Sequence, residues 1–419
     1  MHKQIIFHID VNSAFLSWEA AYRVHHLGRT PDLRTIPSAV GGDISKRRGI
    51  ILAKSIPAKK YHIQTGEPVV DALRKCPELI IVPPNYELYE KNSKAMMDIL
   101  YQYTDKVEQY SIDEAFLDMT GTQMLFGSPV IAATAIKDEI RRRLGFTVNV
   151  GISDKKLLAK MAGDFQKPDR VHTLFFDEIK EKMWPLPVGD LFFVGSASEK
   201  KLHALGIRTI GDLAATDKKT LRAVLKKHGE VIHSFANGHD VSLVEPQAPD
   251  LKGYGNSTTI AFDVTDASTA KMVLLSLTET IGKRLRKDQV RIHMVSVSIR
   301  YHDFCSASHQ CMLQDATNIT KEIHVASCKL FDELWNGMPI RHLGVHTGHV
   351  SKDMANRQLS LFDHTNYEKL EKLDQAVDRI RERFGSDSVM RASFLDQEHI
   401  DHMNGGIPKD RRTVDYRQK

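Results

Sequence analysis

Disulfide cross-linking, membrane insertion and P-loop nucleotide hydrolysis are all disfavoured by what this sequence lacks. Its 419 residues include only four cysteines, scattered along the chain, which argues against a disulfide framework. No apolar run approaches the roughly 18 residues that a membrane span needs, and the N-terminus lacks the pattern of a signal peptide. No Gly-x-x-x-x-Gly-Lys-Ser/Thr loop occurs. We therefore expect a cytoplasmic protein with no membrane partner.

Charge is plentiful but nearly balanced, with a formal net charge of +5. Short basic clusters recur along the whole length, for example at 46–48, 141–143 and 283–287. Each cluster alone fits an ordinary solvated face, but together they suit a protein that touches a long polyanion at many points. The length and a hydrophobic content of 42% predict a globular protein of about three domains.

The order of predicted elements is β-α-β-β-α-β, and it occurs twice. The N-terminal set has strands at 4–11, 106–113, 115–119 and 146–152, with helices at 13–27 and 129–144. In this split βαβ topology the first and third strands lie together at the sheet centre. The second set runs from 257 to 350, and in its strand 290–302 apolar residues alternate with polar and cationic ones. One face of that strand should pack on helices while the other meets a partner.

Two acidic segments end neighbouring strands of the first set. Asp10 follows an apolar run near the N-terminus, and Asp113 and Glu114 lie in the turn between the second and third strands. Three carboxylates at one rim repel one another unless cations lie between them. Oxygen ligands suit Mg²⁺, and paired divalent ions promote in-line phosphoryl displacement. The same residues also fit a polar hairpin turn and a strand end that bind no metal.

Three segments resemble hallmarks of one known family. Residues 9–15 (IDVNSAF), 111–116 (SIDEAF) and 151–160 (GISDKKLLAK) are similar to motifs of the Y-family translesion DNA polymerases, in particular the bacterial DNA polymerase IV branch. The similarity runs in order from residue 4 to about 362. It implies an α+β, multidomain, right-hand polymerase with a βαββαβ palm, small fingers, a helical thumb and a βαββαβ little finger. The implied boundaries are palm 1–28 and 77–168, fingers 29–76, thumb 169–240, linker 241–250, little finger 251–352 and C-terminal tail 353–419.

The resemblance also implies roles for residues of the palm and fingers. Asp10, Asp113 and Glu114 would be catalytic and would ligate two Mg²⁺ ions, or Mn²⁺ in their place, with the Val11 carbonyl as a further ligand. Phe15 matches the steric gate that clashes with a ribose 2′-hydroxyl, although an aromatic there also fits a helix core. Lys160 matches a contact to the triphosphate, where a cation stabilises developing charge.

The fingers depart from the family pattern. The family commonly has a Tyr-x-x-Arg pair that contacts the triphosphate, and the matching positions here are Ile56 and Lys59. Lys59 keeps the charge but lacks the bidentate fork of arginine, and Ile56 has no hydroxyl. We still expect Lys59 near the triphosphate.

Further positions are implied to contact DNA or a protein partner. Gly195 and Gly206 match the thumb's helix-hairpin-helix, in which backbone N–H groups bind phosphate without reading sequence. The polar face of the little-finger strand offers Ser296, Ser298 and Arg300. The segment 358–362 (QLSLF) resembles the peptide that docks bacterial polymerases on the sliding clamp, and its expected contacts are Gln358, Leu359, Leu361 and Phe362.

The sequence therefore predicts a monomeric, template-directed, error-prone DNA polymerase whose partners are primer–template DNA, deoxynucleoside triphosphates and the sliding clamp. One alternative is another two-metal nucleotidyl enzyme on the same frame, such as a cyclase. The other is a clamp-tethered DNA-binding protein whose altered fingers leave it nearly inactive.

Overall fold

The chain forms two compact units in a computed structural model that describes residues 4–42, 49–247, 250–352, 365–395 and 400. The first unit comprises Met1–Gly41 with Ile51–Ala248, and the second comprises Gly42–Ile50 with Pro249–Lys419. The division after Ala248 falls within the predicted linker 241–250. Among the described helices, none is both long and apolar enough to span a membrane.

Both units contain strands and helices. The strands of the described residues are β1 Ile6–Val11, β2 Ser38–Gly41, β3 Ile51–Lys54, β4 Ile80–Val82, β5 Val107–Gln109, β6 Glu114–Asp118, β7 Val148–Ser153, β8 Val171–Thr173, β9 Gly255–Val264, β10 Arg291–Tyr301, β11 Ser306–Thr317 and β12 Ile340–Ser351. The helices are α1 Ala14–Leu27, α2 Ile56–Lys59, α3 Val69–Lys75, α4 Tyr86–Leu100, α5 Gln123–Phe126, α6 Pro129–Leu144, α7 Lys156–Asp164, α8 Ile179–Lys182, α9 Ser196–Ala204, α10 Ile210–Ala215, α11 Lys218–Leu225, α12 Lys227–Ala236, α13 Ala267–Lys287, α14 Thr320–Leu334 and α15 Tyr367–Phe384.

The largest sheet of the first unit has the strand order β5-β6-β1-β7-β8. Strand β1 is central and antiparallel to both β6 and β7, so the first and third predicted strands are neighbours as expected. Strand β8 adds parallel to β7, which extends this sheet past the predicted palm boundary at 168. All six residues of β1 are buried, because α1, α4 and α6 supply the apolar core on one face and α7 covers the other.

One strand is shorter than predicted. The pattern at 106–113 indicates a strand, but β5 covers only Val107–Gln109, and 110–113 form a turn. Ser111 accounts for the difference, because its hydroxyl accepts the Glu114 N–H (3.0 Å) and donates to Asp113 Oδ1 (2.7 Å). Such a local bond competes with strand pairing.

A second sheet of this unit is small, with the order β3-β2-β4. Strand β4, at Ile80–Val82, pairs parallel to β2, so this sheet continues past the predicted fingers boundary at 76. Helix α2 follows β3 and is capped by Ser55, whose hydroxyl accepts the Ala58 N–H. A separate helical core joins α7 to α8–α12 through buried side chains such as Leu158, Leu202 and Leu221.

The second unit repeats β-α-β-β-α-β as predicted, with the strand order β11-β10-β12-β9. Along β10 the residues Val295, Val297 and Ile299 are buried against the helices, and the residues between them face the other side. Helix α15 lies beyond this repeat and is joined to α13 by ion pairs, including Arg286 with Asp374 and Asp378.

Candidate active site

The predicted carboxylates meet at one edge of the large sheet. Asp10 and Glu114 are directly opposite in the β1–β6 register. Asp113 is the residue before β6, and its carbonyl oxygen accepts the Val11 N–H at 3.1 Å. The topology therefore brings Asp10, Val11, Asp113 and Glu114 together, as the sequence predicts.

Two lysines bind two of these carboxylates. Lys167 donates to Asp10 Oδ2 and also lies 2.8 Å from Asp164. Lys160 Nζ is 2.5 Å from Glu114 Oε2, an oxygen that also lies 3.3 Å from His8 Nε2. Burial raises the pKa of Asp10 and the pairing with Lys167 only partly offsets it. Burial also acts on Glu114, but the bonds from His8 and Lys160 outweigh it and lower the pKa of Glu114 to about 2.

The donor atoms at this edge fit a hard divalent cation, although the side chains do not converge on one. Within the described ranges, no three His, Cys, Asp or Glu side chains are grouped closely enough to hold a metal ion. The available donors are carboxylate oxygens and a backbone carbonyl, which is the donor set that Mg²⁺ prefers. The lysine contacts show that these carboxylates attract positive charge at this edge.

A cleft of about 670 Å³ opens beside the carboxylates. Of the predicted residues, Asp10, Val11, Phe15, Lys59 and Asp113 line it, whereas Glu114 and Lys160 lie outside its lining. Its volume is within the range of about 300–1,000 Å³ that is usual for small-molecule sites. The cleft therefore connects the carboxylate edge with the short helix α2, which ends at Lys59.

Phe15 is held rigidly in this cleft by other aromatic residues. Its ring stacks on Tyr89 with centroids 4.7 Å apart and an interplanar angle of 12°, and Trp18 and Tyr86 pack around it. One side of the ring thus belongs to the core, as the alternative interpretation expected, while Phe15 also lines the cleft. A ring fixed by stacking is suited to exclude atoms by contact.

Three cations of the cleft lining were not predicted from the sequence. Arg34, Lys54 and Lys167 line the cleft together with Lys59. Single basic residues in a sequence indicate a solvated surface by default, so no local signal distinguishes them. For Lys54, its place at the end of a short apolar strand, two residues before Ile56, is the one available indication.

Of the predicted DNA-contacting positions, Gly195, Gly206 and Arg300 are exposed, whereas Ser296 and Ser298 are half-buried. Gly195 is the N-cap of α9 and has open space where a Cβ would lie, while Gly206 has φ +80°, a conformation that glycine adopts without strain. Ser296, Ser298 and Arg300 share the face of β10 that is turned from the helical core. The clamp-like segment, with Gln358, Leu359, Leu361 and Phe362, lies outside the described residues.

The fold and the carboxylate edge define a class of protein, the polymerases that transfer nucleotides on a palm-like sheet. The Y-family DNA polymerase chimera Dbh-Dpo4(243-245)-Dbh has a similar fold, with a TM-score of 0.71 and 22% identity, over 84% of this chain and all of that chain. The impB/mucB/samB family model matches residues 9–164 and its C-terminal domain model matches 251–361. The IMS family HHH motif matches 177–207.

Curated relatives place the chain more narrowly. DNA polymerase IV of Clostridium acetobutylicum is 44% identical over 94% of this chain and 99% of its own length. DNA polymerase IV 1 of Bacillus subtilis is 35% identical over 97% of each chain. The chain therefore belongs to the Y-family of DNA polymerases, in the bacterial DNA polymerase IV branch. The predicted family, fold class and DNA-directed DNA polymerase function are confirmed, and the family implies DNA and deoxynucleotide substrates and dependence on divalent metal ions.

Proposed function

We propose that this polymerase performs error-prone translesion synthesis, adding deoxynucleotides to a primer 3′-hydroxyl opposite damaged template bases. The observation that carries the proposal is the pairing of Asp10 with Glu114 beside a cleft that Asp113 and Phe15 also line. Pairing between the template base and the nucleotide would choose the substrate, so the protein itself needs to bind only DNA shape and phosphate.

Asp10, Asp113, Glu114 and the Val11 carbonyl would hold two Mg²⁺ ions. When bound, such ions supply charge stabilisation for the attacking and leaving oxygens of an in-line displacement. The protein's own contribution is to keep these oxygen ligands at one sheet edge, with Asp10 8% exposed and therefore shielded from bulk water. Mn²⁺ has the same preference for oxygen ligands and is the expected substitute.

Three further side chains would bind the nucleotide. Phe15 would lie under the sugar and exclude a 2′-hydroxyl, because its ring cannot move away from Tyr89 without losing the stack. Lys59 would contact the triphosphate from the fingers. Lys160 would stabilise the negative charge that develops on the leaving pyrophosphate. To do so, its ammonium group would have to exchange the contact with Glu114 for one with phosphate.

DNA and protein partners would bind outside the cleft. In the thumb, the DNA backbone would be bound at Gly195 and Gly206. In the little finger, it would be bound by Ser296, Ser298 and Arg300. Residues 358–362 would bind the bacterial sliding clamp. We propose that the protein acts as a cytoplasmic monomer, because a clamp supplies processivity without self-association.

Primer extension with Mg²⁺, with Mn²⁺ and with chelator, each with and without template, tests the proposal. Wild type should add template-matched nucleotides, and Asp113→Ala/Glu114→Ala should add none. Nucleotide addition without template would favour the first alternative, another two-metal nucleotidyl enzyme such as a cyclase. DNA binding without addition by wild type would favour the clamp-tethered, non-catalytic alternative.

A further inference from the structure

The fingers side of the cleft carries two lysines close together in sequence. Lys54 ends β3, Lys59 ends α2, and both line the cleft. Ser55 fixes the corner between these elements: its hydroxyl accepts the Ala58 N–H at 3.1 Å and donates to the Ile36 carbonyl at 2.7 Å. A buried turn therefore places both lysines at the same cleft, and their charges repel each other.

The other two cations of the lining already have partners. Arg34 binds Asp32 with two of its nitrogens and donates to the Gly145 carbonyl at 2.6 Å. Lys167 binds Asp10 and Asp164. In contrast, neither Lys54 nor Lys59 forms an ion pair with any residue in the described part of the chain. The nearest acidic influence on Lys54 comes from Glu67, whose carboxylate is bound to Lys75 at 2.5 Å.

Lys54 is unfavourably placed for a lysine with no ligand. The side chain is half-buried, and burial is the main factor that lowers its pKa, followed by repulsion from Lys59. A desolvated ammonium beside a like charge costs free energy that an ordinary surface position would avoid. An anion bound between the two lysines would remove both costs, and a triphosphate is the polyanion that this cleft is proposed to hold.

We propose that Lys54 is a second triphosphate-binding residue of the fingers. This inference rests on the proposed function. Lys54 takes over binding that the family's tyrosine hydroxyl and arginine fork would give, since Ile56 offers no donor and Lys59 offers a single ammonium. The fingers therefore bind the triphosphate through two point charges rather than through a hydroxyl and a bidentate guanidinium.

Kinetics of single-nucleotide insertion test this assignment. Lys54→Met keeps the length of the side chain and removes its charge, and Lys54→Arg keeps the charge. Lys60→Met is the matched control, because Lys60 is an exposed neighbour of Lys59 that does not line the cleft. A charge-assisted bond to phosphate predicts a KM for deoxynucleotide raised about 10- to 100-fold in Lys54→Met, with kcat little changed. Lys54→Arg and Lys60→Met should behave nearly as wild type.

A binding measurement without chemistry separates this inference from the proposed function. With a dideoxy-terminated primer, nucleotide binding to the full-length protein should weaken by the same factor in Lys54→Met. Inorganic tripolyphosphate should also compete less well for that variant than for Lys60→Met. Equal affinities in Lys54→Met and Lys60→Met would overturn the role of Lys54 while leaving the polymerase assignment intact. A wild type that binds tripolyphosphate but never extends a primer would instead refute the proposed function.

Discussion

Asp10 on β1 lies directly opposite Glu114 on β6, and each carboxylate is bound by its own lysine, Lys167 for Asp10 and Lys160 for Glu114. The two lysines are seven residues apart, one in α7 and one just beyond it. This segment therefore places positive charge against an acidic sheet edge that β1 and β6 create. A metal ion or a phosphate entering this region meets partners that are already paired, so binding must exchange contacts rather than simply add them.

Lys160→Ala tests whether this lysine serves the reaction or only neutralises Glu114. Loss of a cation that stabilises charge in the transition state should lower the rate of single-nucleotide insertion by about 10²- to 10³-fold. Lys156→Ala is the matched control, because Lys156 also lies on α7 but binds Glu108 through both carboxylate oxygens at 2.7 Å. Equal losses of insertion rate in the two variants would indicate that Lys160 acts only through the stability of α7.

Phe15→Ala should admit ribonucleotides, because the ring held against Tyr89 would no longer fill the space beside the sugar. The ratio of kcat/KM for deoxynucleotide over ribonucleotide should fall about 10-fold or more, which corresponds to at least about 1.4 kcal/mol of lost discrimination. Phe15→Tyr keeps the ring and should keep the ratio. Unchanged sugar selection in Phe15→Ala would remove the proposed gate.

Much of the site was predictable because it depends on element order rather than on distances. The β-α-β-β-α-β pattern alone makes the strands of Asp10 and Glu114 neighbours. Helix α6 was predicted to its observed bounds, since Ser128 caps it, Pro129 begins it and Gly145 ends it at φ +75°. These capping and terminating residues are adjacent in sequence to the helix that they delimit, so a single sequence is enough to predict its bounds.

The cations of the cleft were not predictable in the same way. Lys54 and Lys167 become part of the site only when β3 and the segment after α7 fold against the ends of β1 and α1. The sequence around a lysine does not indicate whether its side chain makes a buried tertiary contact or lies in solvent. Strand β8 was also missed, because three half-buried residues show no periodicity.

Arg300→Ala should weaken DNA binding in a salt-dependent manner. Arg300 lies on the exposed face of β10, and a lost phosphate contact reduces the slope of log K against log salt by about 1. Lys287→Ala is the control, since it removes the same charge at the end of α13, on the helical side of the domain. An equal change of slope in both variants would attribute the effect to net charge instead of to this face.

Glu279→Gln should destabilise the C-terminal unit strongly. The Glu279 side chain is 4% exposed, and its Oε1 forms ion pairs with Arg391 at 2.7 Å and with Arg381 at 3.6 Å. Removing one partner of a buried ion-pair network leaves the other charges unbalanced, which costs about 3–5 kcal/mol. Urea unfolding of the full chain measures the change. Lys372→Ala breaks the exposed pair of Lys372 with Glu368 and should leave the unfolding curve unchanged. If Glu279→Gln had an equally small effect, the contacts of Glu279 with α15 would contribute little to the stability of this unit.

Substitution of Gln358, Leu361 and Phe362 by alanine should separate catalysis from processivity. These residues belong to the C-terminal tail, far in sequence from every residue that lines the cleft. They are proposed to enter a groove of the sliding clamp, which would bury the two apolar side chains. The variant should extend short primers at the wild-type rate, because Asp10, Asp113 and Glu114 are untouched. On a long template with a loaded clamp it should synthesise shorter products than wild type. Without the clamp the two proteins should be indistinguishable, and if the loaded clamp also fails to distinguish them, then 358–362 is not the docking segment.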